Sequence, residues 1–210
     1  MLPLLAAVPH IFCWRVSRAH LNPAVSLANL LRRDTKFNFP MFIVYVFAQS
    51  GGHICGLMLS WWFYRSPGRM VVWKDAGGQE QYHEGLSMEF FGSLIFILIH
   101  LLSTHYITSL SANWGINALL VGTFYGALIY WGQLLAGGSF NPAFGAAQNL
   151  TDLWDTGNEE AIEDVWVYVV MPFLAALVAW PIFEFIYRNA YEPQPTYQTD
   201  VFKPVDELAQ

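Results

Sequence analysis

Long apolar runs separated by short polar stretches dominate the chain. No charged residue occurs from Phe37 to Tyr64 or from Phe90 to Thr151. A helix needs about 20 consecutive apolar residues to cross the hydrocarbon core of a bilayer. The pattern therefore predicts an all-α membrane protein, with spanning helices over residues 40–63, 90–107, 116–135 and 165–187.

Three further apolar segments are too short to cross. Residues 1–14 contain two prolines and would extend about 21 Å as a helix, which is less than the core thickness of about 30 Å. This segment is predicted to be a shortened span or one that begins below the membrane surface. Residues 22–31 and 141–150 have the length of half-helices that enter the membrane and stop inside it.

Both half-helices open with the same tripeptide, Asn-Pro-Ala. Asparagine is favoured at the N-cap of a helix, and proline at the first helical position has no N–H to leave unpaired. The six residues concerned are Asn22, Pro23, Ala24, Asn141, Pro142 and Ala143. Recurrence of the motif predicts an internal repeat, with a first copy at 1–64 and a second at 88–188. Residues 189–210 are polar and are predicted to form a tail outside the membrane.

Composition narrows the possible functions. Only 12% of the residues are charged, about half the share in soluble domains, as expected of an integral membrane protein, and no nucleic-acid partner is predicted. The cysteines and histidines lack metal-ligand spacing, so no metal and no cofactor other than bound lipid is expected. The acidic residues associated with predicted spans are Glu89, at the entry of 90–107, and Glu184, within 165–187, and no nucleophile–base pair accompanies them. An enzyme is therefore not predicted.

Two Asn-Pro-Ala half-helices in a multi-span chain resemble the aquaporin (major intrinsic protein) family. The stretches SRAHLNPAVSLANLL, YVFAQSGGHICGLML, MEFFGSLIFILI and GGSFNPAFGAA resemble that family's first loop, third span, fourth span and second loop. The resemblance covers about residues 1–188. It implies two inverted repeats, with half-helices that meet at the membrane midplane and asparagine amides that donate to passing water. It also implies structural support from His20, Gln49 and Glu89.

The chain differs from the family pattern in two places. The first of the six family spans has no counterpart before residue 22, which predicts about five spans and a pore with one wall missing. The family usually has arginine directly after its second motif, whereas this chain has Phe144. The other positions of the narrow filter correspond to Leu2, Ile129 and Gly138. Such a filter offers no side-chain hydrogen bond to a water molecule and tends to exclude it.

These differences leave two hypotheses. The first, preferred on the sequence, is an N-terminally shortened, pore-degenerate member that acts as a non-conducting accessory subunit of a larger membrane assembly. Its partners would be the lipid bilayer and other membrane chains that contact residues 1–21 and 191–210. The alternative is a channel for water or small neutral solutes, with the missing wall supplied by a neighbour. An organellar inner membrane and the plasma membrane are both possible locations.

Overall fold

The structure, a computed structural model, describes residues 2–65, 82–135, 137–157 and 159–191. Within these ranges the secondary structure is helical and contains no strand, which confirms the predicted all-α fold. In chain order the elements are α1 (Leu2–Ser17), α2 (Pro23–Leu31), α3 (Phe39–Tyr64), α4 (Tyr82–Thr104), α5 (Trp114–Leu135), α6 (Pro142–Thr156), α7 (Glu160–Glu163), α8 (Val165–Pro181), a π-helical segment (Ile182–Tyr187) and α9 (Arg188–Tyr191). The predicted tail contacts at 192–210 lie outside the described residues.

Four helical stretches are long and apolar enough to cross a membrane. They are Phe39–Tyr64, Tyr82–Thr104, Trp114–Gln133 and Val165–Ala190, in agreement with the four predicted spans. Helix α4 begins at Tyr82 rather than at residue 90, because the buried Glu89 belongs to the span although its charge marked a boundary in the sequence. Helix α1 has 16 residues and reaches about 24 Å, as expected for the short first segment.

Local capping explains where the two half-helices, α2 and α6, begin. The Asn22 side-chain oxygen accepts a hydrogen bond from the Ala24 backbone N–H at 2.8 Å. The Asn141 oxygen accepts from the Ala143 and Phe144 N–H groups at 3.1 and 3.4 Å. Each bond satisfies a donor that the first helical turn leaves unpaired.

The helices pack as two related sets. Helix α1 packs along α5, where Gly122 and Gly126 allow the backbones to approach closely: a Cβ atom on either would lie 2.5 Å from a Cα atom of α1. Helix α4 lies against both α5 and α8, while α2 and α6 each contact α3 and α8. The internal repeat predicted from the sequence would make α1, α2 and α3 the counterparts of α5, α6 and α8. In the described residues, α4 has no counterpart in the first set.

Candidate functional site

The N-termini of the two half-helices meet. Asn22 Nδ2 donates a hydrogen bond to the Phe140 carbonyl at 2.7 Å, and Asn141 Nδ2 donates to the Leu21 carbonyl at 3.0 Å. Both asparagine side chains are buried. Each amide thus caps its own helix through its oxygen and binds the opposite loop through its nitrogen. We call this arrangement the Asn-Pro-Ala junction.

Electrostatics at the junction follow from the helix directions. Each helix N-terminus carries a partial positive charge of about half a unit, and α2 and α6 bring two such ends together. Pro23 and Pro142 stand at the first helical positions, and Ala24 and Ala143 behind them are buried and small enough for close contact. The junction therefore disfavours cations and suits neutral groups that accept hydrogen bonds.

Side-chain donors hold the loop that leads into α2. Gln49 Nε2 donates both to the His20 carbonyl and to Ser26 Oγ, the latter at 2.9 Å. His100 Nε2 donates to the Arg18 carbonyl at 2.9 Å. Arg18 and Ala19 adopt left-handed backbone conformations, with φ of 57° and 56°. The loop thus keeps an unfavourable backbone because helices α3 and α4 bind its carbonyl groups.

A carboxyl group holds the loop that leads into α6. Glu89 accepts hydrogen bonds from the Ser139 backbone N–H and from the Phe140 N–H, the latter at 2.9 Å. Phe140 has a φ of 53°, and its ring is fully buried. A Cβ atom on Gly92, Gly132 or Gly138 would come within 2.7 Å of that ring. Three glycines therefore form the site in which Phe140 sits.

The predicted filter positions that the structure describes have different immediate neighbours. Phe144 is half-buried and lies beside His53, with ring centroids 5.7 Å apart. Gly138 lies beneath the Phe140 ring, and Ile129 packs against the apolar core. The Leu2 side chain lies outside the described part of the structure. Phe144 is the one described filter position that borders the cavity between α1 and α3.

This cavity, the α1–α3 groove, has a volume of about 740 Å³. Its walls come from α1 and α3, and its inner edge includes His20, Gln49, Asn141 and Phe144. The groove thus extends from the membrane-facing side of α3 to the Asn-Pro-Ala junction. No group of three or more metal-ligating side chains was found in the described residues.

A charged cluster lies at the C-terminal end of α2, and the apolar pattern of the sequence did not indicate it. Arg32 is buried, pairs with Asp34 at 2.5 Å and donates to Thr104 Oγ1 at 3.0 Å. Its guanidinium also lies 4.8 Å from the centre of the Phe183 ring. Burial alone would raise the pKa of Asp34, but the hydrogen bond and charge of Arg32 outweigh it and hold that pKa below its ordinary value.

Sequence reasoning also missed His100 and Phe140. Both are fully buried: His100 binds the loop before α2, and Phe140 belongs to the loop before α6. A histidine within an apolar run could have signalled a buried hydrogen bond. No local signal identifies Phe140, because its site is made by glycines from α4, α5 and the following loop.

Comparisons with known proteins agree with this geometry. A family model described as major intrinsic protein matches residues 4–183. The probable aquaporin PIP2-8 of Arabidopsis thaliana is 29% identical over 187 residues, which cover 83% of this chain and 62% of that protein. The probable aquaporin TIP3-2 of the same plant is 31% identical over 199 residues, which cover 94% of this chain and 69% of that protein.

A solved structure shares the fold. The aquaglyceroporin from Plasmodium falciparum matches with a TM-score of 0.70 at 19% identity, over 85% of this chain and 76% of that chain. The chain spans about 62% of the length of the first of these relatives.

Proposed function

Because this chain belongs to the major intrinsic protein family, we propose that it is a membrane channel that passes water or other small neutral solutes along the inner edge of the α1–α3 groove. The family is one of aquaporin-like membrane channels, which favours the channel over the accessory subunit preferred on the sequence. The observation that carries the proposal is the position of Asn141, which belongs to the Asn-Pro-Ala junction and also borders an open cavity.

The chemistry of this edge favours neutral solutes. The two helix N-termini at the junction oppose a cation, while the asparagine amides offer N–H groups to an oxygen acceptor. Phe144, beside Asn141, brings no charge and gives the path an apolar wall. An apolar wall opposite a few fixed donors suits a small solute that has both a polar and an apolar face, such as glycerol or urea, as well as water.

Permeability of the reconstituted chain tests the proposal. Vesicles that contain the full chain should swell or shrink faster than empty vesicles in stopped-flow light scattering after a water, glycerol or urea gradient is imposed. They should pass no sodium or potassium. Phe144→Trp should slow the neutral flux severalfold, because the larger indole narrows the path where Phe144 meets His53.

The matched control is Phe91→Trp, since Phe91 lies on α4 and is 58% exposed toward the membrane side. This variant should keep the flux of the unmodified chain. Rates no higher than those of empty vesicles for all three solutes would contradict the proposal and restore the accessory-subunit hypothesis. Equal rates in the two tryptophan variants would show that the path does not pass Phe144.

A further inference from the structure

One end of the helix bundle is basic, although the chain as a whole carries a net charge of −6. The C-terminal ends of α1, α2 and α8 meet the start of α5 there: Arg15 lies over the Trp114 ring, and Arg33 lies 3.8 Å from Glu184. We call it the basic end. Its charged residues in the described structure are Arg15, Arg18, Arg32, Arg33, Lys36 and Arg188, with Asp34 and Glu184. Six basic and two acidic side chains leave an excess of positive charge.

The protein itself neutralises two of these six basic residues. Arg32 is buried and pairs with Asp34, and Arg188 donates to Glu184 at 2.7 Å. The other four are exposed: Arg15, Arg18, Arg33 and Lys36. Among the described residues, three of these have no carboxylate within 4 Å, and Arg33 approaches only the carboxyl group that Arg188 already binds. Four exposed positive charges are therefore not balanced by the acidic residues described at this end.

Aromatic rings hold two of the four side chains at the ends of spanning helices. The guanidinium of Arg15 lies 4.9 Å from the centre of the Trp114 ring, and that of Arg33 lies 5.5 Å from the centre of the Phe185 ring. Both rings are partly exposed, and Phe12, which precedes Arg15 on α1, is 78% exposed. Exposed apolar side chains beside a fixed positive charge suit a ligand with an apolar chain and an anionic head.

The other two exposed charges belong to neighbouring segments. The Phe37 ring packs against the His20 ring, with centroids 5.1 Å apart, which brings the chain at Lys36 towards the loop that contains Arg18. His100 donates to the Arg18 carbonyl at 2.9 Å, so this loop is fixed to the helix bundle. The four exposed basic residues thus lie in two short segments, 15–18 and 33–36, at the ends of α1 and α2.

We infer that the basic end binds the phosphate-bearing headgroups of anionic membrane lipids through Arg15, Arg18, Arg33 and Lys36. An excess of arginine and lysine marks the cytoplasmic end of a membrane protein, and anionic lipids are concentrated in the cytoplasmic leaflet. Guanidinium groups bind phosphate oxygens through paired N–H groups, while the acyl chains lie along the exposed apolar residues beside them. The site lies away from the Asn-Pro-Ala junction and does not depend on which solute the chain passes.

Binding of two lipids to the full chain tests the inference. The protein is purified in dodecyl maltoside, and native mass spectrometry counts the molecules of dioleoyl phosphatidylserine or dioleoyl phosphatidylcholine bound at equal concentrations. Phosphatidylserine should bind about tenfold more tightly, because only its headgroup has a net negative charge. Arg15→Gln combined with Arg33→Gln should remove most of this preference. Arg15→Lys combined with Arg33→Lys should keep most of it, because the positive charges remain.

Arg65→Gln is the matched control. Arg65 is also exposed and lies over tryptophan rings, Trp61 at 5.1 Å and Trp62 at 5.8 Å, but it stands at the end of α3, away from the basic end. The Trp61 indole N–H donates to Asp155 at 2.6 Å, so a carboxylate lies beside this arginine's ring. The control should bind phosphatidylserine as the unmodified chain does, and circular dichroism should show equal helix content in all variants.

Three results would overturn the inference. The two lipids could bind equally tightly, or the double glutamine variant could bind phosphatidylserine as tightly as the Arg65→Gln chain. Glycerophosphoserine, which is the headgroup without acyl chains, could displace the bound lipid as effectively as intact phosphatidylserine does, which would make the ligand a soluble phosphate compound. The assay contains no solute gradient, so a failure of the proposed channel function would leave its result unchanged.

Discussion

The loops that precede the two half-helices are held by opposite chemistry. In the first loop, three backbone carbonyls accept hydrogen bonds from the side chains of His100, Gln49 and Asn141. In the second loop, two consecutive backbone N–H groups donate to the single carboxyl group of Glu89. The two half-helices therefore begin in a similar way, although different side chains hold the loops that precede them.

We therefore expect substitutions that remove hydrogen bonds to the two loops to differ in their cost to stability. A buried carbonyl oxygen has two lone pairs and can lose one hydrogen bond at a smaller cost. A buried N–H can donate only one hydrogen bond, so its loss leaves the group unpaired. The first loop also distributes its support over α3, α4 and the α6 cap. In the second loop the carbonyls of Ser139 and Phe140 accept from Tyr125 and Asn22, but both N–H groups depend on Glu89 alone. Loss of the Glu89 carboxyl should therefore cost more stability than loss of any one donor to the first loop.

The largest expected effect is that of Glu89→Leu, which removes the acceptor for two buried N–H groups. An unsatisfied buried donor costs about 1–3 kcal/mol, so a loss of about 2–6 kcal/mol in unfolding free energy is expected. Gln49→Leu should cost about 1–2 kcal/mol, because it leaves a carbonyl and a hydroxyl without their donor. Thermal and denaturant unfolding in detergent micelles, followed by circular dichroism, measures both.

Phe91→Leu serves as the control for α4, because Phe91 is exposed and contributes to neither loop. It should unfold as the unmodified chain does. A Gln49→Leu variant less stable than Glu89→Leu would show that the ranking of the two loops is reversed.

An intermediate effect is expected from alanine at two helix glycines, one crowded and one open. In Gly92→Ala the added methyl group would lie 2.2 Å from the Phe140 ring, which is enclosed by further glycines and has no room to move. Overpacking of this kind costs about 1–3 kcal/mol. Gly52→Ala meets open space and should gain up to about 1 kcal/mol from helix propensity. A lower melting temperature for Gly92→Ala and a higher one for Gly52→Ala would support this prediction. Shifts of the same sign in both variants would contradict it.

The smallest effect concerns the ends of the half-helices. Helix α2 ends at the Arg32–Asp34 pair, with His105 Nε2 3.9 Å from Asp34, whereas α6 ends at Gly157 with a φ of 67°. Because the folded-state pKa of Asp34 is lowered, its contribution is present above the unfolded pKa and is lost as pH falls through the folded one. The contribution of such a partly exposed pair is about 1 kcal/mol or less.

Asp34→Asn should therefore destabilise the protein at pH 7 and lose this effect as the pH falls below the lowered folded-state pKa of Asp34, as a series of melting temperatures at decreasing pH would show. Gly157→Ala should cost about 1 kcal/mol across the whole series, because the strain of a left-handed alanine does not titrate. An effect of Asp34→Asn that stays constant over the whole acid series would exclude the ion pair as its cause.

Features set by neighbouring residues could be predicted from the sequence. The starts of α2 and α6 follow from an asparagine cap and a proline, and the four long spans follow from apolar length. Helix α6 nevertheless runs to Thr156 rather than to residue 150, because its last turns carry polar residues that the apolar pattern excluded. The cap glycine at position 157 was the available signal for its true end.

Features set by distant residues could not be predicted. The filter positions were counted along the chain from the motifs, which gives no information on side-chain packing. The Phe140 ring packs over Gly138 and Ile129 packs against the apolar core, contacts that counting along the chain does not show. The Arg32 cluster likewise joins residues of α2, α4 and the π-helical segment that no local pattern connects.

The reciprocal bonds of the Asn-Pro-Ala junction also constrain the order of folding. They join residues 118 and 120 positions apart in the chain, so neither can form until synthesis and insertion have passed residue 141. Capping bonds within α2 and α6 are local and can form early. During biogenesis the Asn22 amide nitrogen of the first half-helix therefore lacks its Phe140 partner until that residue is inserted. Closure of the junction is a late step of high contact order.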